Sequence, residues 1–220
     1  MHTTTRFVGL DLRSLRPYAR NMIVPVIIIL VAAVLPTRSP YAMIPAAAVL
    51  AVIIGPQYLF GNDERGHLDT LYATLGIARR QFVTGRYATS LLLLIALTAA
   101  GLILTPVTAL VLSAEIDWTI AAALAAGSIG IIGSLLLGEL PAYFALGATR
   151  ARAIGLAVPA AIIVAVVLAG WAFPDAGTTL LGWLEGTSLA WLALAAVAIL
   201  AVLGTVSNVL AARLYAGRDL

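Results

Sequence analysis

The chain contains no cysteine and no lysine. Without thiols it forms neither disulfides nor thiolate metal sites. Without lysine, all 13 of its strongly basic residues are arginine. That excludes a phosphate-cradling G-x-x-x-x-G-K-S/T loop and a lysine Schiff base, so any nucleotide energy has to come from another chain. Histidine is nearly absent too, with only His2 and His67, neither within an apolar run. A Ser–His dyad, a zinc-binding H-E-x-x-H motif and paired aspartates in apolar segments are all missing, which removes the usual routes to intramembrane hydrolysis. No apolar run supplies the polar ring of an ion filter.

Charge is scarce as well. Charged residues make up 10% of the 220 residues and hydrophobic ones 62%, where a soluble domain carries roughly 25% charged residues. The mean hydropathy of +1.04 agrees with an integral membrane protein. Lipid offers the backbone no hydrogen bonds, so spans are helices or a closed barrel; the apolar runs are continuous rather than alternating, which selects helices. At about 20 residues per span, the chain has room for six and for no soluble domain beside them. The predicted fold is all-α with six transmembrane helices. The pI near 9.6 reflects arginines at a membrane surface and not nucleic-acid binding. The Ala/Leu/Val/Arg bias without lysine suggests a GC-rich bacterial genome, hence a bacterial plasma membrane.

Residues 1–20 carry four arginines with Leu10, Leu12 and Leu15 among them, a pattern for an interfacial helix or a basic tail. Spans are predicted at about 21–35, 41–60, 88–112 (with Pro106 as a kink), 119–144, 153–173 and 189–210. Residues 174–188 are too short to span and too apolar for a plain loop; Leu180, Leu181, Trp183 and Leu184 suit either a re-entrant helix or an interfacial loop. If the N-terminus is inside, every arginine except Arg38 falls on the cytoplasmic side, while Glu115, Asp117, Asp175 and Glu185 lie outside. Both termini are then cytoplasmic. No convincing internal repeat is present, which weighs against an inverted-repeat transporter.

The longest polar interruption is FGNDERGHLDTLYATLGIARRQFVTGRY, residues 60–87. Within it Leu68, Leu71, Tyr72 and Leu75 share one face of a predicted short helix. Asn62 or Asp63 is placed to cap it, Asp63 and Glu64 suit the positive end of its dipole, and Gly76 suits its C-terminus. Such a helix between two spans either lies on the lipid surface or docks into a soluble partner. Gly130, Ser134 and Gly138 form a small-residue stripe, a seam for a second subunit or for packing within the chain. Glu139, near the cytoplasmic end of the fourth span, is either a pathway group or a carboxylate that snorkels to water or pairs with Arg150 or Arg152. His67 is an exposed loop residue or a ligand, and Asn208 bonds either across helices or locally.

The run Phe60…Asp63-Glu64…Leu71-Tyr72…Leu75-Gly76-Ile77…Arg79-Arg80…Val83…Arg86-Tyr87 resembles the cytoplasmic loop of bacterial ABC type-2 permeases, the membrane subunits of ATP-binding-cassette exporters. Gly76 stands where that family usually has proline. Leu140-Pro141-x-Tyr143-Phe144-x-x-Gly147, followed by Arg150 and Arg152, is similar to the family's fourth-span ending, and Arg213-Leu214-Tyr215 fits its tail more weakly. The resemblance implies one permease domain over residues 1–220, with a coupling loop at 61–86 whose helix inserts into a separate ATPase. Leu68, Leu71, Tyr72 and Leu75 would dock, while Glu64, Arg79 and Arg80 would form a polar rim or tie the loop to the tail. It further implies a second permease subunit, two ATPase subunits that bind ATP and Mg, no cofactor in this chain, and hydrophobic or amphipathic cargo such as peptide antibiotics, toxins, drugs or lipids. A proton-coupled carrier using Glu139 and a non-transporting scaffold are the alternatives.

Overall fold

The computed structural model describes residues 9, 11, 13, 23, 24, 26–35, 37–66, 78–153, 155, 157, 168, 172 and 188–217. Among them no strand occurs, and four helices are long and apolar enough to cross a membrane. Helix α1 (Val26–Leu35) is shorter. A 3-10 turn at Pro40–Ala42 leads into α2 (Met43–Gly66). There follow α3 (Arg79–Leu112), α4 (Trp118–Leu146) and α5 (Leu189–Ala216). The protein is therefore a multi-pass membrane protein. Spans predicted at 21–35 and 153–173 are described only in part, and those described residues that fall within them, such as 155, 157, 168 and 172, are helical. The segment 174–187 lies outside the described residues.

Each of α2, α3 and α4 carries an interior proline: Pro56, Pro106 and Pro141. A soluble helix would be broken or kinked by one. Inside a bundle, neighbouring helices and hydroxyl side chains re-satisfy the freed backbone groups. Thr105, next to Pro106, donates to the Gly101 carbonyl at 3.0 Å. Two chain reversals close on left-handed residues, Arg38 (φ 48°) and Ser113 (φ 52°), and Gly147 (φ 78°) separates α4 from helical residues 148–153.

Helix α2 packs along α3, and α4 along α5, with α2 crossing α4. In α2 56% of the apolar window is buried, against 6% in α5. Helix α2 is thus central, and α5 is largely exposed. Close approach is set by missing side chains. A Cβ built on Gly101 of α3 would stand 2.7 Å from the Met43 carbonyl oxygen of α2. One built on Gly133 would stand 2.9 Å from Leu200 of α5. Lipid tails are as apolar as leucine, so this packing, rather than expulsion of water, holds the helices together.

The C-termini of α2, α4 and α5 and the N-terminus of α3 gather at one end. There a buried aromatic cluster forms around Phe144, whose ring meets Phe60 at 4.8 Å edge-on, Phe82 at 5.9 Å and Tyr215 at 5.7 Å. Above it Tyr87 shares a 2.6 Å hydrogen bond with Ser207, and Ser207 donates to the Leu137 carbonyl, linking α3, α5 and α4.

Candidate functional site

The loop singled out above joins α2 to α3 at the arginine-rich end of the bundle. Leu68, Leu71, Tyr72 and Leu75, like His67, lie outside the described residues. What is described are the loop's two abutments. Helix α2 continues to Gly66, and α3 opens at Arg79, so both ends of the 61–86 segment are helical extensions of the spans.

That extension changes the role of Asp63. As the cap of a separate loop helix it would be exposed; instead it lies within α2, 5% exposed. A carboxylate tolerates such burial because a charge of opposite sign meets it. Arg86 of α3, itself 1% exposed, places Nη2 on the Asp63 carboxylate and Nη1 2.9 Å from Asp11 Oδ1 of the N-terminal segment. The guanidinium sits 5.5 Å from the Phe60 ring centre and 5.3 Å from that of Phe82, at cation–π distance from both. Thr89 donates to Asp11 Oδ2 at 3.1 Å. Burial pushes the Asp11 carboxyl above its ordinary range, against the opposing pull of Arg86. Three segments distant in sequence thus meet on one guanidinium.

The remaining polar residues clamp the same abutments outward. Glu64 Oε2 accepts from the Thr149 hydroxyl at 2.8 Å and its backbone N–H at 3.2 Å, at the first turn of helical residues 148–153. Arg79 Nη1 donates to the Ala216 carbonyl at 2.9 Å and reaches that of Tyr215 at 3.5 Å, and its guanidinium carbon lies 5.9 Å from the Tyr215 ring centre. A cation on the last carbonyls of α5 is favourably placed for the helix dipole. Arg80 is exposed.

Of the small-residue stripe, Gly130 faces α5, where a Cβ would meet Ala196 at 3.1 Å. Ser134 donates to the Gly130 carbonyl of its own helix at 2.7 Å. Gly138 is exposed, with open space where a Cβ would stand. Glu139 is 4% exposed, and among the described residues neither of its oxygens has a hydrogen-bond partner. Arg150 and Arg152 are exposed, and among the described residues no ion pair joins either to Glu139. Backbone at Gly155 approaches closely: a Cβ there would lie 3.3 Å from Glu139 Oε2 and 2.8 Å from the Tyr143 hydroxyl. No cluster able to hold a metal occurs among the described residues.

Sequence reasoning missed Asp11, Thr89 and the structural part of Arg86. The available signal was an arginine eight positions into a span-forming helix, where it has to find a carboxylate or reach water. For Asn208 a bond across helices and a local one were both open; a bond across helices is made by its neighbour Ser207.

The family model described as ABC-2 family transporter protein matches residues 8–216. No curated protein and no solved structure matches the chain.

Proposed function

The chain belongs to the ABC-2 family of transporter proteins, and from that membership we propose that it is the exporter's permease subunit, driven by ATPase subunits carried on separate chains. Its coupling loop at 61–86 is the docking element, with Leu68, Leu71, Tyr72 and Leu75 as the face received by the ATPase. Two such six-span subunits enclose a path for hydrophobic or amphipathic cargo in a bacterial plasma membrane, with both termini cytoplasmic. The apolar outer face of α5, with Val197, Val202 and Val206 each more than 60% exposed, supports a subunit or lipid contact.

The observation that carries this reading is the clamp on the helices that flank residues 67–77. A docking element transmits force only if its abutments are stiff. Arg86 joins both abutments to the N-terminal segment, and Arg79 and Glu64 tie them to α5 and to residue 149. A push on the loop would therefore move α2, α3 and α5 together. Replacing Leu71 and Tyr72 with Asp should abolish ATP-dependent transport in proteoliposomes while leaving detergent-solubilised protein monodisperse. Survival of transport in that double variant would overturn the docking role.

Glu139 supports a second reading, a proton-coupled carrier, because a buried carboxylate with no hydrogen-bond partner among the described residues needs either a proton or a visiting cation. Glu139→Gln separates the two: transport unchanged and strictly ATP-dependent excludes the carrier, whereas loss of transport with ATPase activity retained favours it.

A further inference from the structure

Beside the clamp, α2 and helical residues 148–153 leave an open groove of about 540 Å³, within the roughly 300–1,000 Å³ of small-molecule sites. We propose that this groove binds the phosphate headgroup of an anionic phospholipid from the leaflet at the arginine-rich end. The proposal does not depend on ATPase docking.

The groove's chemistry is that of a phosphodiester site. Arg65 enters from the α2 wall and Arg152 from the opposite wall, both exposed, and Asn62 adds a side-chain amide. Two guanidiniums from facing walls suit an anion with several acceptor oxygens. The carboxylate in the groove, Glu64, accepts both hydroxyl and backbone N–H of Thr149, so it fixes the spacing of the two walls and leaves the cationic side in excess. Gly61 lines the groove, and a Cβ built there would meet nothing within 4 Å. A side chain there would fill the groove without displacing protein.

Depth and continuation select a lipid over a soluble anion or an acidic protein surface. Arg65 lies in the last turn of a membrane-spanning helix, the level at which headgroups sit. Two and three turns earlier on α2, Gln57 gives way to Ile53 and Ile54, both half-buried, with Ile54 also touching the cluster of Leu30, Ala47 and Leu50. A headgroup held by the arginines would lay its chains along the open side of these isoleucines, within the apolar length of α2. Basic pockets between helices on the cytoplasmic side are a known form of headgroup recognition.

The test uses the full-length chain in mild detergent, titrated with dioleoyl-phosphatidylglycerol or dioleoyl-phosphatidylcholine and followed by native mass spectrometry. Wild type should retain the anionic lipid in clear preference. Arg65→Gln with Arg152→Gln should weaken it about fivefold per guanidinium, and Gly61→Leu should block it while leaving all charges in place. Equal retention of the two lipids, or variants that bind like wild type, would overturn the proposal. So would displacement of the lipid by inorganic phosphate at matched ionic strength, which would mark a free-anion site, or by added ATPase subunit, which would mark a protein contact. Thermal unfolding of each variant in the same detergent controls for folding. If the arginine variant unfolds, Gly61→Leu and the wild-type lipid preference decide the matter.

Discussion

At the arginine-rich end of the bundle, Arg86, Asp63 and Asp11 are all buried and bound to one another, whereas at the opposite end Arg38, Glu115 and Asp117 are all exposed. Asp117 caps α4 there, its Oδ1 accepting from the backbone N–H of Thr119 at 2.7 Å and of Ile120 at 3.3 Å, while its own N–H donates to the Tyr41 hydroxyl at 2.7 Å. The cap is local and wet. The clamp is long-range and dry, and removing one partner from it leaves an uncompensated charge in an apolar cluster. Helix ends that only have to stop can use water and caps, whereas charges taken out of water tie together ends that are distant in sequence.

Breaking the clamp should produce the largest effect. Arg86→Met leaves two buried carboxylates without their cation, at a cost of about 3–5 kcal/mol. Thermal unfolding in detergent should show it, with partial recovery when Asp11→Asn and Asp63→Asn are added. A midpoint equal to wild type would erase the contrast between the two ends. Next comes packing, which tests whether geometry alone matches the charge effect. Gly101→Leu drives a side chain into the α2 backbone near Met43 and should cost about 1–3 kcal/mol by the same measurement. Tyr87→Phe removes the hydroxyl shared with Ser207 and should cost about 0.6–1 kcal/mol.

The smallest effect should come from the exposed cap, and it should depend on pH. Backbone N–H groups of Thr119 and Ile120 hold the Asp117 carboxyl below its ordinary range. A carboxyl whose pKa is lowered by folding stabilises the fold above its unfolded value, and that contribution is lost as pH falls through the lowered one. Asp117→Ala should therefore unfold slightly earlier than wild type at neutral pH and together with it in acid. A gap that persisted unchanged into acid would show that the carboxylate is not what caps α4.

Much of this molecule was legible in its residues. The apolar runs at 88–112, 119–144 and 189–210 each lie within a described helix, and that at 41–60 lies within the 3-10 turn and α2 that it runs into, because continuous apolar stretches of that length have few other solutions in lipid. Their polar ends were misjudged. Residues 61–66 and 79–87 look like loop by composition, yet they extend α2 and α3. Propensity and hydropathy assess a charge as if it faced water, and Asp63 and Arg86 face each other.

Composition by itself determined that this protein resides in a membrane, that its spans are helical, and that a lysine-bearing phosphate loop and thiolate sites are missing from the given residues. These follow from counts, since lysine and cysteine are either present or not and lipid rejects unpaired backbone. Tertiary structure alone decided which carboxylates meet Arg86, that Glu64 closes onto Thr149, and that Gly61 leaves open space beside Arg65. Those contacts join residues from 23 to 85 positions apart. Which of them form depends on how the helices cross, and no local pattern of residues encodes a crossing.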